Sequence, residues 1–227
     1  LALMLCVVGA FHSTSRCRCV SLASSSLWVL QVDRIHCLHL KHRLDRLDHI
    51  QEHMRKHCPQ LPLELVEGQP GPQAPPHPLV HEDGWAELQR VQKGADIEGW
   101  RLTPGAIGCA LGHRKMWEKC VATQTPLLII EDDTLCTVPK LWDAVEQLAL
   151  HFPLQLARAT LVYLGYGTQS GAYPLPQWQT PPSDDKSPAM GVPSHINGLF
   201  GYLLHPEGAA ALLRCCFPLR FQLDTEM

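Results

Sequence analysis

An acidic triplet, Glu131-Asp132-Asp133, directly follows four large aliphatic residues at Leu127–Ile130. Such a run predicts a fully buried strand, and the ligands of open α/β sheets bind beyond the carboxyl ends of the strands. Because residues two apart in an extended chain point to the same side, we expect Glu131 and Asp133 to converge while Asp132 faces away. Carboxylates this close need a cation, and oxygen ligands select Mg²⁺ or Mn²⁺, often together with nucleotide phosphates. The alternative interpretation is a solvated acidic turn that caps the next helix.

A second group with ligand chemistry consists of three histidines, His49, His53 and His57, at positions i, i+4 and i+8 of one helical face. Histidines at this spacing can bind zinc, but the glutamate of an H-E-x-x-H motif is missing. We therefore expect solvated histidines on a surface helix, with a zinc-binding protein as the alternative. The sequence also lacks the G-x-S-x-G motif of hydrolases, the G-x-G-x-x-G motif of dinucleotide-binding proteins and the C-x-x-C motif of zinc and redox sites.

The elements that must position these residues alternate along the chain. Short aliphatic runs predict strands at 32–40, 63–66, 127–130, 160–164 and 199–204. Apolar residues at helical spacing, with Thr103-Pro104 and Pro139 as start signals and Pro59 as a stop signal, predict helices at 44–57, 103–121, 139–150 and 206–215. Strands that alternate with helices predict an α/β fold with a mostly parallel central sheet.

Two proline-rich stretches interrupt this alternation. Residues 59–78 hold seven of the 19 prolines and residues 174–193 hold six more. Proline fixes φ and lacks an N–H, so neither stretch suits a helix interior or a central strand. We expect irregular loops at 59–84 and 174–195 that flank the binding cleft as mobile lids.

Composition places the chain among ordinary folded proteins. The 227 residues are 45% apolar with a net charge of −3, which argues against wholesale disorder and against the broad basic surface of a nucleic-acid-binding protein. Apolar runs stay short of the ~18 residues that a membrane-spanning helix needs. The chain begins at Leu1 rather than at a methionine and stops at Met227, so we expect a fragment.

The N-terminal region is expected to stand apart from the domain. Leu1–Phe11 is an apolar run whose length suits a signal peptide or a truncated anchor, with a buried strand as the alternative interpretation. We therefore divide the chain into a signal-like or disordered segment at 1–31 and a domain at 32–227. Cys109 and Cys120 lie in apolar segments and are predicted to be buried free thiols, whereas Cys17 and Cys19 would form disulfides in a secreted chain.

Five segments, IHCLHLKHRLDRLDHI, LTPGAIGCALGH, PLLIIEDD, FGYLLHPEGAAALL and LDTE, occur in the order of the motifs of glycosyltransferase family 25 and resemble them. That family contains bacterial lipooligosaccharide galactosyltransferases and animal procollagen galactosyltransferases. The opening strand and helix, IHCLHLKHRLDRLDHI, is similar to the family's INL-x-x-R-x-D-R segment. The segments LTPGAIGCALGH, PLLIIEDD, FGYLLHPEGAAALL and LDTE resemble its GEIGC-x-x-SH helix, its LI-x-EDD strand, its YLI-x-x-x-GA segment and its late acidic motif. The resemblance covers roughly residues 32–227. Two positions depart from it, because Ala106 and Gly112 replace the usual glutamate and serine.

The resemblance implies a Rossmann-like, nucleotide-diphospho-sugar fold of the GT-A type. It also implies a hexosyltransferase that uses UDP-galactose or a related UDP-sugar, depends on Mn²⁺ or Mg²⁺, and inverts the anomeric carbon. The acceptor would be a hydroxyl group on a protein or a glycan. Such enzymes of eukaryotes are expected in the lumen of the endoplasmic reticulum or Golgi, with the cytoplasm as the alternative. A non-catalytic binding or adhesion module on the same fold is the competing class.

The family motifs also assign roles to single residues. Glu131, Asp132 and Asp133 would hold the metal ion. Asp224 would be the base that takes the acceptor proton. Donor contacts would come from the start of the first helix, at Arg43, Asp45 and Arg46, and from the GEIGC-x-x-SH helix, at His113.

Overall fold

The computed structural model describes residues 4–8, 27–70, 78–94, 102–136, 139–167, 189–191 and 197–227. These residues form the mixed α/β fold that the sequence predicts. The strands are β1 Met4–Val8, β2 Ile35–His39, β3 Leu63–Glu67, β4 Leu127–Glu131, β5 Leu161–Gly167, β6 Ala189–Gly191 and β7 Asn197–Leu204. The helices are α1 Leu44–His57, α2 Glu82–Gln92, α3 Pro104–Thr123, α4 Leu141–His151, α5 Pro153–Arg158, α6 Pro206–Cys215 and α7 Leu223–Glu226.

The seven strands form one sheet in the order β3-β2-β4-β7-β5-β1-β6. Among the described residues β2 pairs in parallel with both β3 and β4, and β1 with β6, whereas β4–β7, β7–β5 and β5–β1 are antiparallel. The prediction of a mostly parallel sheet is therefore wrong beyond β4. Parallel neighbours need a crossover, usually a helix, and the proline-rich sequence between β5 and β7 carries no helical pattern. The strand β7 instead runs antiparallel between β4 and β5.

The strand β4 is third in the sheet and is covered on both faces, as the aliphatic run predicts. Leu127 and Ile129 belong to a core with residues of α3 and α6, whereas Leu128 and Ile130 belong to a second core with residues of α1 and α4. Each of the four side chains is at most 4% exposed. Burial on both faces explains why β4 is apolar at every position before Glu131.

The helix α3 begins and ends at local signals. The N–H of Ala106 donates a hydrogen bond of 3.1 Å to Thr103 Oγ1, and Pro104 occupies the first turn. After Thr123 the chain leaves the helix through Gln124, whose φ of 52° lies in the left-handed region. The buried face of α3 packs on β4 and β7.

The helix α6 lies unusually close to the start of β5. A Cβ atom added at Gly208 would come within 2.3 Å of the carbonyl oxygen of Thr160. The N–H of His205, just before α6, donates to that same oxygen at 2.9 Å. Glycine at position 208 is therefore what permits this contact.

Residues before the expected boundary at 32 also contribute to the fold. Leu27, Trp28 and Val29 are buried in the core with α1 and α4, and the indole N–H of Trp28 donates to the carbonyl of Leu156 at 2.8 Å. Met4–Val8 is the strand β1, between β5 and β6, so this part of the apolar run is a strand. No helix of the described residues combines the length and apolarity needed to span a membrane.

Two further expectations meet the structure only in part. The segment 59–84 is not irregular throughout, because it contains β3 and the start of α2, a helix that the sequence analysis did not predict. The segment 174–195 lies outside the described residues except for β6, as do Cys17 and Cys19. The role of both proline-rich segments as lids stays a prediction.

Candidate functional site

A pocket of about 230 Å³ opens at the carboxyl ends of β2 and β4. One wall is formed by the residues that end β2 and by the segment after β3, and the opposite wall by the first half of α3. The lining includes four glycines, two leucines and a proline, and its charged groups are Arg46, Glu131 and Asp132. The lining residues are Leu38, His39, Leu40, Arg46, Gly68, Gln69, Pro70, Gly105, Gly108, Cys109, Gly112, Glu131 and Asp132.

Asp132 is buried, with 4% of its surface exposed, and both of its oxygens have protein partners. Arg46 donates to Oδ1 at 2.7 Å from the first turns of α1, and His39 Nδ1 lies 3.0 Å from Oδ2 at the end of β2. A buried carboxylate is tolerated only when it is paired and hydrogen-bonded, and Arg46 and His39 meet that requirement. Asp132 therefore ties β4 to β2 and α1.

Asp133 is the most open carboxylate of the triplet, with 45% of its side chain exposed. Its Oδ2 lies 2.9 Å from the same Arg46 nitrogen that binds Asp132. Burial and the charge of Glu131 raise the pKa of Asp133 above its usual range, and Arg46 offsets this effect only in part. A raised carboxylate pKa means that its surroundings disfavour the charged form, here mainly through burial.

Glu131 turns the other way, towards α3. His113 Nε2 lies 3.0 Å and Cys109 Sγ lies 3.2 Å from Glu131 Oε1. Burial raises the pKa of Glu131, but these hydrogen bonds outweigh it, so its pKa lies below the usual range. Glu131 is therefore a held, ionised carboxylate at the pocket wall.

Cys109 differs from its prediction as a buried thiol, because it is exposed at the pocket wall. Cys120, in contrast, is buried as predicted. Desolvation within the pocket and the negative charge of Glu131 raise the pKa of the Cys109 thiol. The thiol therefore stays protonated at neutral pH and donates to Glu131.

Behind Glu131 lies a buried line of hydrogen bonds. His113 is fully buried, and its Nδ1 lies 2.7 Å from the hydroxyl oxygen of Tyr202 on β7. The indole N–H of Trp117, one turn after His113, donates to the same hydroxyl at 2.8 Å. Desolvation raises the pKa of Tyr202 well above its usual range, so this hydroxyl keeps its proton.

The remaining predicted site residues lie around this centre. Arg43 binds Asp45 through two hydrogen bonds of 2.9 and 2.7 Å, and these hold the pKa of Asp45 at about 2. Both residues thus pair with each other rather than with the pocket. Asp224 accepts a hydrogen bond of 2.9 Å from the N–H of Gly198, and its charge contributes to the raised pKa of Cys109.

The three histidines of α1 do not form a metal site. The rings of His49 and His53 stack at 5.3 Å and those of His53 and His57 lie 4.5 Å apart, along the helix face. His53 Nε2 instead accepts a hydrogen bond of 2.6 Å from the N–H of Cys136. In the part of the chain that the structure describes, three metal-ligand atoms lie within 4.8 Å of one another at Cys109, His113 and Glu131, and not at these histidines.

The three carboxylates of the acidic triplet take different directions. The strand ends at Glu131 and a turn carries Asp132 and Asp133, so the strand alternation that paired Glu131 with Asp133 does not continue. Both oxygens of Asp132 have protein partners, whereas both bonds to Glu131 use Oε1 alone and Asp133 is the most exposed of the three. Asp133 and Glu131 therefore offer the more accessible oxygens for a hard cation.

Sequence reasoning missed the partners that hold these carboxylates. His39 ends β2 beside the end of β4, and a search for polar residues at neighbouring strand ends finds it. Tyr202 lies opposite Ile129 in the sheet, a pairing that no local signal indicates. Trp117 reads in sequence as an ordinary apolar position of α3.

Residues 33–149 match the family model described as glycosyltransferase family 25 (LPS biosynthesis protein). The matched range is slightly more than half of the chain and runs from the start of β2 into α4. It contains every predicted site residue except Asp224. A comparison with curated proteins finds no match.

Proposed function

Because the chain belongs to glycosyltransferase family 25, we propose that it transfers a hexose from a UDP-sugar to a hydroxyl group of a protein or glycan. The observation that supports this most is the pocket at the carboxyl ends of β2 and β4, whose lining includes the carboxylates of Glu131 and Asp132. In α/β sheets this edge is where nucleotides bind. The GT-A type of fold and UDP-galactose as the donor are parts of the same proposal.

The shape of the pocket suits one part of such a donor. Its volume of about 230 Å³ is somewhat below the ~300–1,000 Å³ of typical ligand pockets, so it holds a portion of a nucleotide sugar. Four glycines and the aliphatic residues Leu38 and Leu40 leave room for a flat, largely apolar group. The charged lining residues Arg46 and Glu131 would face the diphosphate.

The charge of the acidic triplet calls for a cation. Glu131 and Asp132 line the pocket and Asp133 adjoins them in the chain, whereas Arg46 pairs with Asp132 and Asp133, so the site is negative where a diphosphate would approach. Mn²⁺ or Mg²⁺ would be held by Asp133 and Glu131, and it would stabilise the charge that develops on the leaving UDP. Asp132, bound to Arg46 and His39, would keep the turn in place rather than bind the ion.

Transfer with inversion makes one bond and breaks another at the anomeric carbon. The acceptor oxygen bonds to that carbon, the bond to the UDP oxygen breaks, and a carboxylate takes the hydroxyl proton. Asp224 is our candidate for that base, because its charge acts on Cys109 in the pocket wall. Its Oδ2 is held by the N–H of Gly198, which would orient the carboxylate.

The proposal is tested by the release of UDP from UDP-galactose, UDP-glucose and UDP-N-acetylglucosamine, with and without Mn²⁺. We expect Mn²⁺-dependent turnover with one of them, and Asp133→Asn should lower it about 1,000-fold, because the change removes several kcal/mol of charge stabilisation. Asp48→Asn, an exposed carboxylate of α1, is the matched control and should be unchanged. UDP-sugar binding without turnover would support a non-catalytic binding module, and full activity of Asp133→Asn would overturn its role.

A further inference from the structure

Three hydrogen bonds join Trp117, Tyr202, His113 and Glu131 in a line. Only one assignment of donors and acceptors along this line gives every hydrogen an acceptor. The indole N–H of Trp117 can only donate, so the Tyr202 oxygen must accept from it. The hydroxyl hydrogen of Tyr202 then points to His113 Nδ1, the acceptor that the described residues offer at 2.7 Å. His113 therefore carries its hydrogen on Nε2 and donates it to Glu131.

The opposite direction leaves a buried hydrogen without an acceptor. If His113 carried a hydrogen on Nδ1, the Tyr202 oxygen would accept from both Trp117 and His113. Its own O–H would then have no acceptor among the described residues, in a side chain that is fully buried. Such an unpaired buried donor is unfavourable, and Nε2 would then face the ionised Glu131 without a hydrogen. Tyr202 and Glu131 therefore favour the Nε2–H tautomer, and the N–H of Trp117 turns the Tyr202 hydroxyl hydrogen towards His113.

The register of the sheet builds this line. Tyr202 pairs with Ile129, and Glu131 follows two residues later on the same face of β4. His113 and Trp117 lie four residues apart on α3, so both face that side of the sheet. The four side chains thus come from three elements whose relative positions are set by the two cores.

We infer that Trp117 and Tyr202 are positioning residues: Tyr202 favours the Nε2–H tautomer of His113, Trp117 orients the Tyr202 hydroxyl, and the line so holds the Glu131 carboxylate towards the pocket. The inference rests on the proposed function only for its effect on turnover. The tautomer itself is a property of the folded chain. A positioned carboxylate matters for transfer because a ligand or substrate contact must already point the right way when the donor binds.

The competing use of the same atoms is a metal site made of Cys109, His113 and Glu131, whose ligand atoms lie within 4.8 Å of one another. A metal on His113 Nε2 would force the hydrogen onto Nδ1, which would leave the Tyr202 O–H without an acceptor among the described residues. These hydrogen bonds therefore favour the line from Trp117 to Glu131, called the hydrogen-bond relay below, over a metal site.

The first test reads the tautomer directly by long-range ¹H–¹⁵N correlation spectra of the full chain labelled in its histidines. His113→Gln identifies the ring signals, and we expect the Nε2–H form for His113 in the parent. Tyr202→Phe should shift the Nδ1 signal of His113, because Nδ1 then loses the hydroxyl that donates to it, whereas Trp117→Phe should keep the Nε2–H form, because the Tyr202 hydroxyl can still donate to Nδ1. Trp28→Phe is the matched control, since it removes another buried indole hydrogen bond, to Leu156, and should leave His113 unchanged.

The second test measures turnover per folded molecule. We expect Tyr202→Phe and Trp117→Phe to lower kcat for UDP release about tenfold, within the range for residues that orient a binding group. His113→Gln keeps an N–H for Glu131 and should retain more activity than His113→Leu, whereas a purely structural role would make the two equal. A Tyr202→Phe enzyme with the parent kcat would overturn the positioning role.

The outcomes separate this inference from the proposed function. The Nε2–H tautomer in a protein that turns over no UDP-sugar supports the relay and counts against the transferase. The Nδ1–H tautomer, or zinc that co-purifies and is lost in His113→Gln, overturns the relay whatever the activity. Because Tyr202→Phe removes a single oxygen, it keeps the test decisive even if Trp117→Phe fails to fold.

Discussion

Removal of Arg46 is expected to destabilise the fold, because this side chain neutralises a buried charge. Arg46 donates to Asp132 Oδ1 at 2.7 Å and lies 2.9 Å from Asp133 Oδ2 with the same nitrogen. Arg46→Met keeps the length and apolar stem of the side chain but leaves Asp132 with His39 as its partner. The change therefore tests whether the protein itself, rather than a metal ion, balances Asp132.

The magnitude follows from burial. Removing one partner of a fully buried ion pair costs ~3–5 kcal/mol. Arg46 is 32% exposed and His39 remains bound to Asp132, so we expect a smaller loss of about 2 kcal/mol in the free energy of unfolding. In a domain of this size that loss lowers Tm by about 4–8 °C.

Urea and thermal unfolding of the metal-free protein measure this effect. Arg43→Met is the matched control, because Arg43 pairs with the exposed Asp45, and exposed pairs contribute ~0–1 kcal/mol. In a double-mutant cycle with Asp132→Asn we expect a coupling of about 1–2 kcal/mol. If Arg46→Met unfolds at the same urea concentration as Arg43→Met, the reasoning about Asp132 is wrong.

Three further predictions concern other parts of the fold. Burial and the neighbouring histidines lower the pKa of His53, so its contribution to the free energy of unfolding is fully present above pH about 6.5 and is lost as the pH drops below that value. The urea concentration at the midpoint of unfolding should therefore be lower at pH about 5.5 than at pH about 7.5, with a smaller difference in His53→Gln. Gly208→Ala should lower the free energy of unfolding by several kcal/mol, because its Cβ would clash with the backbone oxygen of Thr160. The matched control Gly112→Ala, whose Cβ would lie 3.5 Å from Leu38, should unfold at or above the urea midpoint of the parent. Cys109, although exposed, should be alkylated slowly near neutral pH and faster as the pH rises, since its thiol pKa is raised; mass spectrometry that finds rapid labelling at neutral pH would contradict this.

Local signals predict the elements of this chain well. The helix α3 begins at Thr103-Pro104 because the cap and the fixed φ of proline act within one turn, and β4 is recognised because both of its faces are covered. The order of the strands in the sheet could not be predicted from such local signals. The position of β7 between β4 and β5 depends on contacts between distant segments, which no local pattern encodes.

The candidate site, too, could be predicted from the sequence only in part. Its acidic centre was found from sequence, because three carboxylates after a buried strand are informative by themselves. The directions of those carboxylates were not, because β4 ends at Glu131 and the turn sends Asp132 towards Arg46 and His39. Tyr202 and Trp117 were missed because buried polar contacts look apolar in a sequence pattern.

The need for a cation at the acidic triplet was inferred from charge repulsion, but the structure shows that protein groups already bind two of the three carboxylates through two partners each. Asp132 is balanced by Arg46 and His39, and Glu131 is held by His113 and Cys109. Asp133 keeps a raised pKa despite its contact with Arg46. The question whether the triplet is a metal site or a solvated turn therefore reduces to Asp133. A metal ion that binds there must lower the pKa of Asp133, and a solvated turn leaves it raised.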